Sequence, residues 1–403
     1  MNKYYRKSPG PKRKSTDAGF SEEVQDQILG WVSDEFAVAK RNLDEYRDAF
    51  NEYYNMLHCI RDKKPNDWES DIYLPEFVSR VQAHIGNFVR QYFSSKDYVE
   101  PDIQSDEPQD IAEGKAAKIL LNTLLNDRRA HYYHKVVRLL MFVFTYGYGI
   151  IKGCYRQRVE QREVGTRMRQ EHATDEMGRP LAEDGDVFAD PYSQRPMFSE
   201  VPEPITQEVV LEDRPEFDVY PVQHVYISPE YQYSLQEKEY VIFESMKTLD
   251  ELYADQENNG YFNLHLLENM ESDVTPIADE SYAKLHNIEE TDKPVSPRYI
   301  ILERWGKFPI VVKERDENGK IVDWEPGIDK DGEAKKNAEN VECIVTTVRG
   351  GVSPSADILI RYQPSPYSKR PMVRFLCYVD PLFDGGFGDG EMVREVQRAI
   401  NDN

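Results

Sequence analysis

Cysteines are few in this sequence, and none of them forms a close pair. The four in 403 residues are Cys59, Cys154, Cys343 and Cys377, and no Cys-x-x-Cys motif occurs. This spacing argues against a zinc site or a disulfide scaffold and fits a reducing compartment. A long apolar run is also lacking, because the most apolar stretch, residues 139–144, is far shorter than the ~20 residues that span a bilayer. We therefore expect no membrane partner.

Positive charge is outweighed by negative charge. The chain has 50 Lys and Arg against 73 Asp and Glu, which gives a net charge of -23 and a pI near 4.9. A protein that binds DNA through a general basic face would carry the opposite balance. Only the N-terminal arm, residues 1–19, is basic, and we expect it to be flexible. The acidic bulk indicates high solubility, repulsion of DNA or basic partners.

Nucleotide-binding motifs are missing. The glycine-rich turn of residues 385–390 does not follow the Gly-x-Gly-x-x-Gly spacing, and no Gly-Lys-Ser or Gly-Lys-Thr occurs. Asp384, Asp389 and Glu391 flank this turn and would repel a phosphate that a helix N-terminus otherwise attracts. The three turn glycines that we single out are Gly386, Gly388 and Gly390.

No convincing metal or nucleophile set is present. His131 and His134 stand three apart on a predicted helix and could share a metal ion, with Asp127 or His58 as an open choice for a third ligand. Packed or surface histidines are the other interpretation. His58 and Cys59 are adjacent, and adjacent helical residues do not face each other. We expect no cofactor, no metal site and no catalytic residue. We therefore predict that the chain is not an enzyme.

Apolar residues spaced by three and four predict a helical region over residues 20–146. Proline, glycine and capping residues mark the ends of its helices. The predicted helices are 21–59, 75–93, 110–126 and 129–146.

The pattern over residues 147–385 predicts a β-rich region, which makes the predicted fold class α+β. Two acidic insertions, 175–204 and 250–295, are predicted to be mobile, the second because it has twelve acids and two bases. Thr248 is a candidate cap of a short helix. Residues 298–307 and 310–315 are predicted to pair as a hairpin, with a turn at 316–319. The other predicted strands are 150–155, two flanking the first insertion, 217–222, 225–229, 240–246, 341–349, 357–363 and 371–379.

The most informative stretch is the last one. Arg370-Pro371 leads into an apolar strand, the glycine turn follows, and a helix begins near Asp389. This order resembles the bacteriophage portal proteins, also called head-to-tail connectors. Earlier pieces in the same order strengthen the resemblance: a Trp-x-Ser-x-Ile-x-x-Pro entry to a helix, a Val-x-Pro segment and a Tyr-Gly-x-Gly-Ile-x-Lys turn. Together the pieces cover residues 65–403.

The resemblance implies a portal-like wing that ends in the start of a stem helix, residues 386–403, at the wall of a DNA tunnel. It further implies a ring of about twelve identical subunits at one capsid vertex, with heterologous contacts between neighbours. Double-stranded DNA would be packaged and ejected through it, and the acidic charge suits a channel that must not retain phosphates. Its partners would be terminase and the capsid, scaffold and tail adaptor proteins. The family's clip and crown have no counterpart in this sequence, which is expected to be a fragment or to be completed by another chain.

The stem helix carries the candidate site residues. Met392, Val393, Val396 and Ile400 are predicted to form one packing stripe toward the wing or a neighbouring subunit. Asp389, Glu391, Arg394 and Arg398 are predicted to face the tunnel or a neighbouring subunit. Two alternatives stay open. Basic residues near aromatics could touch DNA or a neighbouring subunit, or they could lie on a solvated strand edge; these residues are Arg361, Tyr362, Tyr367, Lys369 and Arg370. The chain could also be another virion protein, such as a head-completion protein or a tail adaptor.

Overall fold

Helices form the first part of the chain and antiparallel strands most of the rest, so the predicted α+β class is confirmed. The computed structural model describes residues 19–60, 73–103, 106–172, 198–232, 234–268, 298–317, 319–350, 357–381 and 385–402. Three predicted segments lie wholly or largely outside these ranges: the basic arm over 1–18, the first insertion over 175–197 and the second over 269–295.

Four long helices precede the strands: α1 (Glu22–Leu57), α2 (Glu76–Tyr92), α3 (Pro108–Asn126) and α4 (Tyr132–Tyr146). Helix α1 runs unbroken for 36 residues because its apolar side chains keep one buried stripe. Gly147 ends α4 in the left-handed region, at φ +95°. No helix in the described ranges is both long and apolar enough to cross a membrane.

A three-stranded sheet has the order β2-β1-β9. Its strands are β1 (Tyr148–His172), β2 (Phe198–Tyr220) and β9 (Met372–Leu376). Strand β9 pairs antiparallel with the start of β1, with Ile150 opposite Arg374. This register brings the end of the chain beside the corner between α4 and β1.

A six-stranded antiparallel sheet has the order β3-β4-β5-β7-β8, with β6 also paired to β5. The strands are β3 (Val225–Ile227), β4 (Tyr240–Thr248), β5 (Arg298–Arg315), β6 (Ile321–Pro326), β7 (Glu339–Val348) and β8 (Ile358–Pro364). The predicted hairpin over 298–315 is wrong: this segment is one strand, because β7 pairs continuously with it from Ile301 to Ile310. The turn at 316–319 instead joins β5 to β6.

The second acidic insertion is not a solvated face over its described part, residues 250–268. These residues form the short helices α5 (Leu249–Ala254), α6 (Gln256–Asn259) and α7 (Leu264–Leu267). Leu252, Leu264 and Leu267 are fully buried, and burying a leucine contributes about 1.5–3 kcal/mol. Thr248 caps α5 in a reciprocal capping box with Glu251, as predicted.

The chain divides into two compact units, one of residues 1–153 with 217–403 and the other of residues 154–216. In its described part the second unit consists of residues 154–172 of β1 and residues 198–216 of β2. The largest core of the first unit joins α1, α2 and α4 to both sheets. Its members include Phe50, Phe77, Val81, Ile150, Val241, Phe243, Trp305 and Val393.

Candidate functional site

The site predicted from sequence is the strand, glycine turn and helix at the end of the chain, where α8 spans Asp389–Asp402. The turn is closed by two backbone hydrogen bonds between Tyr378 and Phe387, of 3.0 and 3.2 Å. Gly386 adopts φ +66°, and a Cβ there would lie 2.5 Å from the Tyr378 carbonyl oxygen. Only glycine meets both conditions without strain, so the predicted turn chemistry is confirmed at Gly386.

The other two turn glycines are required by close approach. A Cβ on Gly388 would lie 2.6 Å from the Gly147 nitrogen, and one on Gly390 would lie 2.5 Å from the Thr145 carbonyl oxygen. Gly388 is not among the described residues with positive φ, so close approach and not a left-handed backbone requires glycine there. Both glycines instead let the start of α8 touch the backbone at the end of α4.

Asp389 lies inside the molecule, contrary to its predicted place at a tunnel or subunit surface. Its side chain has no exposed area, and its Oδ1 accepts a hydrogen bond of 3.0 Å from Arg80 Nε. His84 Nδ1 lies 3.0 Å from Oδ2, without the alignment of a hydrogen bond. As the first residue of α8, Asp389 also places negative charge at the positive end of the helix dipole. It therefore ties the turn to α2.

Gln397 is a contact that the sequence reasoning did not assign. Its side-chain oxygen accepts a 3.0 Å hydrogen bond from the Phe77 nitrogen, and its Nε2 donates a 2.6 Å hydrogen bond to the Leu74 carbonyl oxygen. The N-cap residue of α2, Pro75, makes no side-chain capping bond of its own. Gln397 thus satisfies an unpaired N–H in the first turn of α2 from a distant part of the chain.

The predicted packing stripe of α8 divides into two faces. Val393 is buried and Ile400 half-buried on the face that also carries Gln397. Met392 and Val396 are 47% and 55% exposed, so they do not pack within the subunit, and their packing against a neighbour stays a prediction. The two sets are offset because residues 389, 393 and 397 follow one another at four-residue spacing, whereas 392 and 396 begin a second row. An apolar strip therefore faces outward on α8.

The predicted charged set is spread around the same helix. Arg398 forms a 2.6 Å ion pair with Glu52 of α1, and a 3.0 Å one with Glu395. Arg394 is half-buried beside Glu395 at 3.3 Å, and Glu391 is exposed. Exposed pairs of this kind contribute about 0–1 kcal/mol each. Glu391 and Arg398 are therefore accessible, as an inter-subunit role requires, whereas Asp389 is not.

The other candidates lie in separate places. Within the described ranges no three His, Cys, Asp or Glu side chains are grouped to hold a metal ion. The rings of His131 and His134 are 6.3 Å apart. Cys59 is exposed and follows the end of α1. Its neighbour His58 packs against the Tyr54 ring at 4.3 Å between ring centroids.

The basic and aromatic cluster near the end of the chain is mostly internal. Arg370 is buried and donates hydrogen bonds of 2.7 and 3.1 Å to the Glu342 carboxylate. It also donates to three backbone carbonyls. Arg361 and Tyr362 are also buried, which removes these three residues from any surface contact with DNA. Tyr367 and Lys369 are exposed. Arg370 is thus a structural anchor for the entry to β9.

No protein-family model matches this chain, and no curated protein matches its sequence. The portal resemblance therefore stays a prediction drawn from the residues. The geometry of the site is that of a packing junction: a turn locked against α2 and α4, with one apolar strip of α8 facing outward.

Proposed function

We propose that this chain is a subunit of a phage portal ring, through which double-stranded DNA is packaged and ejected at one capsid vertex. The observation that carries the proposal is the outward apolar strip of α8, Met392 and Val396, on a helix whose opposite face is fixed to the subunit. A helix anchored on one side and apolar on the other is suited to contact a second copy. The ring would meet terminase and tail proteins at its ends.

The charge of the chain supports the same role. A net charge of -23 repels DNA phosphates, which suits a conduit better than a protein that must hold DNA. The inward face of α8 binds its own subunit through Asp389, Val393 and Gln397. A neighbour in a closed ring would then use a different patch to cover Met392 and Val396, as heterologous contacts require.

The test is Val396→Asp. Because this side chain is half-exposed in the single subunit, the substitution should leave the fold intact, and it should abolish ring formation by placing a charge in an apolar contact. Assembly is measured by sedimentation velocity and by negative-stain images of rings with a central hole. Val322→Asp is the matched control, since Val322 is 62% exposed on β6, and it should assemble normally. Normal rings from Val396→Asp would refute this use of α8, and a wild type without rings would favour a head-completion or adaptor role.

A further inference from the structure

A small cavity lies between α1 and the six-stranded sheet, away from the turn and α8. It encloses about 90 Å³, room for a few water molecules or one small ion. Three cationic side chains line it: Lys40 and Arg47 from α1, and Arg349 from the end of β7. In a chain of net charge -23, this grouping of positive charge runs against the composition.

Two of these cations are not neutralised by an ion pair. Lys40 and Arg349 have no carboxylate within ion-pair distance in the part of the chain that the structure describes. Arg47 pairs with Asp44 at 2.8 Å, but both side chains are more than 40% exposed. Such a solvated pair contributes little and leaves Arg47 able to contact a second anion.

Glu244 also lines the cavity, and its carboxylate already accepts a hydrogen bond from the protein. Glu244 is buried, accepts a 2.7 Å hydrogen bond from the Tyr226 hydroxyl and lies 3.2 Å from His224 Nδ1. Burial raises the pKa of Glu244. The hydrogen bonds and the electrostatic interactions with His224 and Arg349 lower the pKa by more than burial raises it, so the net shift is downward. Three carboxylates thus act on the three cations, Glu244 in the cavity, Asp44 beside Arg47 and Asp357 near Arg349. Only Arg47 is held in an ion pair in the described part of the chain.

The Arg349 guanidinium stacks near an aromatic ring and keeps its donors unused by the described residues. Its carbon lies 5.0 Å from the centroid of the Phe36 ring, a cation–π contact that orients the planar group. In the described residues its side-chain N–H groups donate no hydrogen bond to protein. A guanidinium presents a fork of donors that matches the oxygens of a phosphate.

We infer that this cavity binds one phosphate-sized oxyanion, either inorganic phosphate or the phosphoryl group of a small phosphomonoester. Arg349 would donate to two of its oxygens, and Lys40 and Arg47 would contribute charge from α1. Bound anion would offset the like charges that now meet there. A DNA duplex is too wide to enter a cavity of this size.

The experiment is calorimetric titration of the full chain with inorganic phosphate and, separately, with glycerol 2-phosphate, in low-salt chloride buffer. We expect saturable binding at one site per chain to at least one of the two, and the tighter ligand identifies the source of the phosphoryl group. Arg349→Gln and Lys40→Gln should each weaken binding about tenfold or more, since each removes a charged contact. Arg315→Gln, at an exposed arginine paired with Glu339 on another part of the sheet, should bind like the wild type.

Two results would overturn the inference. One is the absence of saturable heat with both ligands, and the other is equal weakening by Arg315→Gln, which would indicate general charge attraction. A thermal melt of each variant checks its fold. Lys40 lies on α1 and Arg349 follows β7. Loss of binding in both folded variants would therefore place the ligand between these two elements.

Discussion

Two carboxylates hold the first unit together in different ways. Glu303 of β5 meets the buried Lys152 of β1 at 2.6 Å, and the rings of Tyr220, Phe243 and Trp305 surround that ammonium at 4.8–5.7 Å. Asp389 has no exposed side-chain area, whereas the Glu303 side chain is 20% exposed. The partners of Asp389, Arg80 and His84, are 40% and 32% exposed. Water can replace the partners of Asp389 and cannot easily replace Lys152.

The two centres stabilise different parts of the unit. The Lys152–Glu303 pair joins one sheet to the other inside the core, so its loss affects the whole unit. Burial raises the pKa of Glu303, but Lys152, Arg361 and hydrogen bonds lower it more, so its net shift is downward and the carboxylate stays charged. Asp389 joins the turn and α8 to α2, so its loss should loosen one segment.

The largest effect is expected from Lys152→Met. This change leaves the Glu303 carboxylate without its cation, and breaking a buried pair in this way costs about 3–5 kcal/mol. Chemical denaturation measures the free energy of unfolding. The double variant Lys152→Met with Glu303→Gln should recover much of the loss, because a neutral pair avoids the unpaired charge. A double variant no better than the single one would mean that the aromatic packing, and not the charge, is what matters.

A smaller and local effect is expected from Asp389→Asn. The amide keeps the shape but loses the charge that pairs with Arg80 and the helix dipole, which costs about 1–2 kcal/mol. Hydrogen exchange should rise over residues 389–402 and stay unchanged in β5. Glu391→Gln is the matched control, since Glu391 is exposed in the same helical turn. Global unfolding as severe as that of Lys152→Met would erase the contrast between the two centres.

The turn shows how far local sequence signals reach. Gly386, the end of α4 at Gly147 and the start of α8 could be predicted because each depends on neighbouring residues alone. The inner face of α8 could not. Gln397 is buried because it meets the first turn of α2, 320 residues away in the chain, and Met392 is exposed although it is apolar. Hydrophobicity cannot show which row of a helix meets a partner that distant.

Charge counting misled the interpretation of residues 250–268 for a related reason. Acids there occupy the outer faces of short helices, whereas Leu252, Leu264 and Leu267 pack against Tyr299 and Ile301 of β5. The number of acids says nothing about the face on which they lie. The Asp389–Arg80 and Lys152–Glu303 pairs escaped prediction too, since both join residues that only the fold brings together.

The smallest effect is expected from Arg398→Gln, which removes the outermost tie of α8 to α1. Arg398 is 51% exposed and its partner Glu52 is 26% exposed, so the pair should contribute about 0.2–1 kcal/mol. The loss should appear in denaturation at low salt and vanish near 1 M salt, where the Debye length falls to about 3 Å. Arg315→Gln removes a similarly exposed pair with Glu339 on the sheet. It should show an equally small loss of unfolding free energy that also vanishes at high salt. A loss larger than that of Asp389→Asn would mean that the rim of this junction, and not its buried carboxylate, fixes α8.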